Sequence, residues 1–274
     1  VFLSFLMLGV VGIVLPRALE AAKRILEVLK TEPKVVSGRL TDAGGVSGEV
    51  EFKNVSFTYP GGSGEVLSDI SFKANKGETV AFIGSTGSGK TTLVNLIPRF
   101  YDASAGEVLV DGVNVRDYDL DTLYGKISYV SQKAVMFSGT IAENVAFGAN
   151  AEPEKLDRAI EISRSADFVS ELGEGTDAYV ARGGTNFSGG QKQRLSIARA
   201  LCRDAEILIF DDTFSALDFK TDRQLRDALK SETEGKTKLI VAQRIGTIMS
   251  ADRIIVLDEG RIAGMGTHKE LLKS

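Results

Sequence analysis

The chain has 274 residues, 43% of them hydrophobic and 26% charged, and its formal net charge is -4 at pH 7. That apolar content can bury a sizeable core, which excludes a wholly disordered chain, and the acidic balance argues against a nucleic-acid partner, which needs clustered Lys and Arg. A single cysteine and a single histidine, Cys202 and His268, exclude an internal disulfide framework, a thiolate or multi-histidine metal site and a catalytic triad.

An almost unbroken apolar run, Val1 to Leu15, begins the chain, and because the first residue is not Met we expect a fragment of a longer protein. The run is shorter than the roughly 20 residues that span a bilayer, so it is either a truncated transmembrane helix or a buried core helix. A signal peptide is disfavoured, because no basic segment precedes the run and no small-residue cleavage site follows it.

Basic residues follow the apolar run, at Arg17, Lys23 and Arg24. Positive charge just beyond an apolar segment marks the cytoplasmic side of a membrane. We therefore interpret residues 1–30 as the end of a transmembrane helix with its cytoplasmic extension, which places the protein at the cell membrane with its soluble part on the cytoplasmic side. The glycine-rich residues 31–48 are predicted to be a linker to a soluble domain at 49–274.

Apolar patterning in the soluble domain predicts an α/β fold. Residues 50–57 and 66–74 alternate like half-buried strands and are expected to pair in an antiparallel β subdomain. Residues 152–201 are mostly helical, so a helical subdomain is expected at about 134–201, with Cys202 buried in a helix and His268 at a surface helix start. Short apolar runs that alternate with helical segments predict a mainly parallel sheet, with strands at 79–83, 127–130, 207–210, 239–242 and 254–257.

A glycine-rich loop, GSTGSGKT, joins the strand predicted at 79–83 to a helix predicted at 90–100. Its spacing, in the order strand, loop, helix, is that of a phosphate-binding loop and predicts a P-loop NTPase (RecA-like) core. Backbone N–H groups of the loop are expected to converge on the phosphates of ATP, with Lys90 on the β- and γ-phosphates and the Thr91 hydroxyl on Mg²⁺. Kinases, GTPases and transport ATPases all remain open at this point. The residues predicted to bind the cofactor are Gly84, Ser85, Thr86, Gly87, Ser88, Gly89, Lys90, Thr91 and Thr92.

Two carboxylates, Asp211 and Asp212, follow the strand predicted at 207–210. A carboxylate at the end of an apolar strand is the arrangement that holds a water-linked Mg²⁺ beside a phosphate loop, and Asp211 is predicted to do so. An ordinary strand end is the alternative that this pattern alone leaves open.

A second phosphate-binding segment, FSGGQKQR at 187–194, precedes this strand. A serine and two glycines before a helix form one more phosphate-binding helix N-terminus than a single ATP needs. The segment resembles the signature motif of the ATP-binding cassette (ABC) transporter family, and the resemblance covers residue 49 to the C-terminus. It implies that two such domains dimerise head to tail, each ATP lying between the phosphate loop of one and the signature of the other. The signature residues implied to bind ATP are Ser188, Gly189, Gly190 and Gln191.

Further segments match the same family. The resemblance implies that Tyr59 stacks on adenine, that Gln132 contacts Mg²⁺ and senses the membrane domain, and that Asp218 lies in the loop that crosses the dimer interface. Residues 134–145 resemble the segment that follows this glutamine in family exporters, and residues 1–30 resemble the end of an exporter's last membrane helix. The resemblance therefore implies the ATPase motor of an exporter, with the coupling helices of a transmembrane domain as partners.

Two positions depart from the family pattern. Asp212 stands where the family has a glutamate that orients or deprotonates the attacking water, and Gln243 stands where it has histidine. The aspartate is one methylene shorter, and a misplacement of about 1 Å costs on the order of 10²-fold in rate. The glutamine can donate a hydrogen bond to the γ-phosphate but never carries an imidazolium charge. The predicted catalytic residues are Asp212, Gln243 and Gln132, and the predicted metal ligands are Thr91, Gln132 and Asp211.

Both departures belong to the composite site of this chain's own phosphate loop, whereas the intact signature belongs to the other site. This asymmetry favours the degenerate-site subunit of a heterodimeric, multidrug-type exporter, whose second nucleotide-binding domain is a different subunit. Neutral substitution at two tolerant positions is the alternative interpretation. The other functions left open are a homodimeric exporter with a slow but sufficient ATPase, a non-enzymatic ATP-sensing module that gates a membrane protein, and a cassette ATPase for DNA or ribosomes, which the acidic balance disfavours.

Overall fold

The computed structural model describes residues 2–41, 47–149 and 152–273, so Val1 and residues 42–46 of the predicted linker lie outside the described residues. Contacts divide the chain into two compact units, residues 1–36 and 37–274. The first unit contains helix α1 (Phe2–Leu29), none of whose residues is buried, which is not the pattern of a core helix. By length and composition, α1 is long and apolar enough to cross a membrane.

The second unit alternates strands and helices. Its strands are β1 (Val50–Phe57), β2 (Leu67–Ala74), β3 (Thr79–Gly84), β4 (Ala105–Val110), β5 (Val113–Asn114), β6 (Ile127–Val130), β7 (Gly139–Thr140), β8 (Tyr179–Val180), β9 (Ile207–Asp211), β10 (Thr237–Val241), β11 (Arg253–Asp258) and β12 (Arg261–Gly266). Its helices are α2 (Lys90–Leu96), α3 (Leu120–Lys126), α4 (Ile141–Val145), α5 (Pro153–Ile162), α6 (Ala166–Val169), α7 (Gly189–Cys202), α8 (Phe219–Glu232), α9 (Ile245–Ile248) and α10 (His268–Leu271).

The main sheet has the strand order β12-β11-β3-β10-β9-β6. All neighbours in it are parallel except β11 and β12, which confirms the predicted α/β fold with a mainly parallel sheet. The carboxyl ends of parallel strands meet at one edge of a sheet, which is where open α/β folds bind ligands. This edge receives the phosphate loop after β3, Asp211 at the end of β9 and Gln132 shortly after β6.

Side chains on the two faces of the main sheet enter two separate cores, because successive residues of a strand point to opposite faces. In β9, Ile207 and Ile209 pack with the second sheet and α2, whereas Leu208 and Phe210 pack with α7 and α8. A third core lies among α4 to α7, and all of its buried residues but Cys202 fall at positions 134–201, where a helical subdomain was predicted. Cys202 is 1% exposed there, which confirms its predicted burial in a helix.

A second sheet of order β2-β1-β4-β5 is antiparallel, as predicted for β1 and β2. The short β4–β5 hairpin was not predicted from the sequence. Helix α2 ends at Leu96, earlier than the predicted Phe100. Pro98 explains the difference, because it has no N–H to continue the helix and disfavours the helical conformation at the residue before it.

Residues 37–40, within the predicted linker, belong to the second unit and bond to its residues 117–119. Backbone N–H groups of Gly38 and Leu40 donate to the carbonyls of Tyr118 (2.8 Å) and Asp117 (2.9 Å). The Ser37 hydroxyl donates to Asp119 Oδ2 at 2.9 Å. We call residues 37–40 the linker clasp, because it ties the chain to the start of α3.

Candidate nucleotide-binding site

The phosphate loop leaves β3 and enters α2, and its backbone path depends on glycine. A Cβ atom on Gly84 would overlap the carbonyl oxygen of Leu257 in the adjacent strand β11. Gly89, which caps α2, has φ 97°, and a Cβ there would press on the Leu67 side chain. Glycine tolerates these close approaches, so the loop can curl tightly before the helix. The N–H groups in the first turn of the helix have no intrahelical acceptor and can bind phosphate oxygens.

Lys90 folds back over the loop. Its ammonium donates to the carbonyls of Gly84 (2.9 Å) and Ser85 (2.7 Å) and to Ser88 Oγ (3.2 Å). Burial lowers the pKa of Lys90, and the charges of Asp212 and Asp211 oppose that decrease. A cation is therefore fixed in the space that the loop encloses, where a β- or γ-phosphate would need one.

Both carboxylate oxygens of Asp211 accept hydrogen bonds. Thr91 Oγ1 donates to Oδ1 at 2.9 Å, and the Tyr129 hydroxyl lies 3.0 Å from Oδ2. Burial of Asp211, which is 2% exposed, raises its pKa, and the two hydrogen bonds oppose this shift. Burial, aided by the negative charge of Asp211, also raises the pKa of Tyr129, which therefore stays protonated at neutral pH. Sequence reasoning missed Tyr129.

The Asp212 carboxylate accepts hydrogen bonds from two side-chain amides. Gln132 Nε2 donates to its Oδ2 at 3.1 Å, and Gln243 Nε2 donates to the same oxygen at 2.9 Å. The backbone of Asp212 is left-handed, with φ 45°, a region that Asp tolerates better than most residues. The structure thus brings together the three residues predicted to be catalytic, in an arrangement without a cationic partner for the carboxylate among them.

The predicted adenine-stacking residue lies beside the loop. The Tyr59 hydroxyl and Thr92 Oγ1 are 2.9 Å apart, which links the ring to the first turn of α2. Phe57 and Tyr101 meet the Tyr59 ring edge to face, with centroids 4.8 and 5.2 Å away. The ring is thereby fixed in orientation, as a stacking platform requires.

One cleft of about 330 Å³ is lined by nine of the predicted site residues. Five others near the phosphate loop do not line it: Tyr59, Gly84, Ser85, Ser88 and Asp211. Neither Asp218 nor the signature, residues 188–191, lines it among the residues that the structure describes. The signature instead begins α7, where Ser188 and Gln191 form a reciprocal capping box, and Asp218 caps α8 by accepting from the N–H groups of Lys220 and Thr221. The cleft is lined by Val66, Thr86, Gly87, Gly89, Lys90, Thr91, Thr92, Gln132, Asp212, Val241 and Gln243.

The side chains near the phosphate loop offer oxygen ligands that suit Mg²⁺, but too few to complete its coordination. Thr91 and Asp211 present hard oxygen ligands 2.9 Å apart, and the Gln132 amide oxygen stays available because its nitrogen makes the bond to Asp212. Among the described residues, no group of three or more His, Cys, Asp or Glu side chains could hold a metal ion. A magnesium ion here would therefore take part of its coordination from phosphate oxygens, as it commonly does.

An exposed aromatic pair lies on the helical subdomain. Phe137 and Phe147 stack with centroids 4.5 Å apart and are 45% and 54% exposed. The Arg199 guanidinium lies 5.5 Å from the Phe137 ring centre and also bonds the carbonyls of Asn144 and Val135. Resemblance to exporters singles out residues 134–145, but no sequence pattern indicates this stacked pair.

A family model described as ABC transporter matches residues 67–215. The chain is 44% identical over 267 residues to an ATP-dependent lipid A-core flippase of Pseudomonas fluorescens (strain Pf0-1), covering 97% of this chain and 44% of that protein. It is 43% identical over 278 residues to an uncharacterized ABC transporter ATP-binding protein of Mycobacterium bovis, covering 99% of this chain and 47% of that protein.

Among solved structures, a bacterial Atm1-family ABC exporter with ATP bound is similar, with a TM-score of 0.88 and 34% identity. The match covers 97% of this chain and 47% of that chain. The chain therefore spans less than half the length of these relatives.

Proposed function

Because the chain belongs to the ABC transporter family, whose ATP-binding domains are ATPases, we propose that it is the ATP-binding motor region of an export transporter. The observation that carries this proposal is the single cleft in which the phosphate loop, Gln132, Asp212 and Gln243 converge beside the buried Asp211. The domain assignment follows: residues 1–30 end a transmembrane helix, 31–48 connect it, and 49–274 form the nucleotide-binding domain.

Five residues in or near the cleft have roles in this proposal. Lys90 binds the β- and γ-phosphates, in exchange for its bonds to loop carbonyls. Thr91, Asp211 and Gln132 would hold Mg²⁺, which neutralises phosphate charge when bound. Tyr59 stacks on adenine.

A second nucleotide-binding domain completes the site. Ser188 caps α7 and the two glycines after it begin the helix, so N–H groups at its N-terminus can bind phosphate. Among the described residues, this signature does not line the cleft of its own chain. In a dimer, the partner's signature would lie over this cleft and this chain's signature over the partner's cleft. Each ATP would then contact one phosphate loop and one signature. We therefore assign a head-to-tail dimer, with Asp218 at its interface.

A membrane domain is the other partner. Phe137 and Phe147 expose a stacked apolar surface that Arg199 fixes from within, and Val135 beside them is 54% exposed. Exposed aromatic surface of this kind marks a protein contact. We assign it to the coupling helices of a transmembrane domain, and α1 to the cell membrane, with the nucleotide-binding domain on the cytoplasmic side.

The site of this chain's own phosphate loop is proposed to hold ATP and cleave it slowly. Asp212 carries the charge of a general base on a side chain one methylene short, and both amides in contact with it are neutral. A base displaced by about 1 Å loses on the order of 10²-fold in rate. The intact signature then serves the partner's site, so the two sites of a heterodimer differ. Hydrolysis by the chain alone as fast as by its mixture with a partner subunit would contradict this asymmetry.

The proposal that the cleft binds ATP is tested by Lys90→Ala, with Lys230→Ala on the exposed face of α8 as the control. A charge-assisted hydrogen bond contributes about 1.5 to 3 kcal/mol, so ATP affinity should fall roughly 10- to 150-fold. Equilibrium binding of ATP with Mg²⁺ measures this, and unchanged circular dichroism shows that the loop variant is folded. Equal affinities for the two variants would refute the assignment.

A further inference from the structure

Tyr129 is a polar residue that no part of the proposed mechanism uses. It lies in β6, next to Ile209 of β9 in the parallel register, so its ring stands beside the end of the strand that carries Asp211. Phe100 meets this ring edge to face with a centroid distance of 5.5 Å. Its hydroxyl is therefore aimed by packing as well as by hydrogen bonds.

The hydroxyl stands between two side chains from different elements. Asn95 Oδ1, in α2, lies 2.9 Å away, and Asp211 Oδ2 lies 3.0 Å away. A phenol has one proton and Asp211 can only accept, whereas the oxygen and nitrogen of an amide exchange places by a flip. All three groups are satisfied when Asn95 donates to the phenol oxygen and Tyr129 donates to the carboxylate.

The opposite oxygen of the same carboxylate is bound to Thr91. A threonine hydroxyl can donate its proton to Asp211 Oδ1 and still offer a lone pair to a metal ion, so the direction of the carboxylate sets the direction of that lone pair. With Oδ2 fixed by Tyr129, the carboxylate cannot rotate away from Thr91 without breaking a bond.

We propose that Tyr129 is a positioning residue for the magnesium site: by holding Asp211 Oδ2, and with Asn95 behind it, it fixes Asp211 and Thr91 in the orientation that receives the metal. This inference rests on the proposed ATP-binding function and adds a residue to it. Hydrogen-bond partners behind metal ligands typically account for about 10- to 100-fold in metal affinity.

The test is Tyr129→Phe, which keeps the ring and removes only the hydroxyl. At fixed ATP, the Mg²⁺ concentration that gives half of the metal-dependent gain in ATP binding should rise by about 10-fold or more. ATP binding without metal, in excess chelator, should stay at the wild-type level, because Tyr129 does not line the cleft. A role in folding alone would lower both kinds of binding together.

Two further variants complete the experiment. Tyr118→Phe removes a buried phenol hydroxyl that donates to the Val110 carbonyl at 2.9 Å, away from the site, and should leave the Mg²⁺ dependence unchanged. Asn95→Ala should raise the Mg²⁺ requirement by less than Tyr129→Phe, and it carries the test if the latter variant does not fold. A wild-type chain without metal-dependent ATP binding would overturn the proposed function itself. Wild-type Mg²⁺ dependence retained in both Tyr129→Phe and Asn95→Ala would overturn only the role of Tyr129.

Discussion

In the proposed function, Asp212 is the residue that decides the chemistry of the site. Its backbone stands in the sparsely populated left-handed region, with φ 45°, which costs of order 1–3 kcal/mol for a residue other than glycine. Contacts around it offset this strain, because its N–H donates to the Val241 carbonyl and the Ser215 hydroxyl donates to its own carbonyl. The fixed backbone thus holds the side chain toward Gln132 and Gln243. A shift of the backbone therefore cannot make up for the methylene that aspartate lacks relative to glutamate.

Stacking of Tyr59 on adenine can be tested by substitution. Tyr59→Ala should weaken ATP binding by the value of one stacked base, about 1–3 kcal/mol or roughly 5- to 150-fold. Tyr59→Phe keeps the ring, loses only the contact with Thr92, and should change ATP affinity far less. Calorimetry with ATP and with tripolyphosphate measures both contributions. If tripolyphosphate binding falls as much as ATP binding in Tyr59→Ala, the residue acts on the phosphate loop rather than on adenine.

The contacts of single residues also show what a sequence can predict. The phosphate loop was predictable because its glycines, Lys90 and Thr91 stand at fixed spacing between a strand and a helix. The bond between Tyr129 and Asp211 was not, since it joins residues 82 positions apart and depends on β6 lying beside β9. The two amides on Asp212 come from positions 80 and 31 residues away, so their convergence also follows from strand order.

Among the elements, α3 connects the start of the domain to the site. Its N-cap Asp119 accepts from the Ser37 hydroxyl and from the N–H of Thr122, and α3 runs directly into β6, which ends shortly before Gln132. The linker clasp is thereby bonded to the start of α3, and α3 leads through β6 to the cleft. Glycine-rich composition predicted only a linker here, because backbone bonds to a distant loop leave no pattern in a sequence.

Asp119→Ala should release the linker clasp. Amide exchange at Gly38 and Leu40, followed by nuclear magnetic resonance, should speed up several-fold, whereas Asp121→Ala, a change in the same first turn of α3, should leave it unchanged. The bond from Ser37, followed by that from the Thr122 N–H, lowers the pKa of Asp119. Because the folded-state pKa lies below the unfolded value of about 4, the contribution of this carboxylate is present above that pH and is lost as the pH falls through the folded-state pKa. If amide exchange at Gly38 and Leu40 changes neither in Asp119→Ala nor at low pH, Asp119 does not hold the linker clasp in place.

The whole chain combines an exposed apolar helix, a candidate nucleotide cleft and a helix, α7, whose first residues do not line that cleft among the residues that the structure describes. We propose that partners complete these parts: α1 has no buried residue, and a second chain's signature would add the phosphate-binding helix N-terminus that this chain's own signature does not bring to the cleft. Fold class and nine of the residues that line the cleft were predictable from the sequence, because apolar periodicity and motif spacing are local, whereas Val66 and Val241 line the cleft without belonging to a motif. The arrangement of partners is the part that must be measured.

In the proposed function, the site formed by this chain's own phosphate loop holds ATP but cleaves it slowly because of Asp212 and Gln243. The most direct measurement is the rate of ATP hydrolysis by the detergent-solubilised chain before and after the double substitution Asp212→Glu and Gln243→His, with ATP affinity determined in parallel. We predict a rise of on the order of 10²-fold in rate at nearly constant affinity, lost again when Lys90→Ala is added. A wild-type chain that already hydrolyses ATP as fast as the double variant would contradict the account.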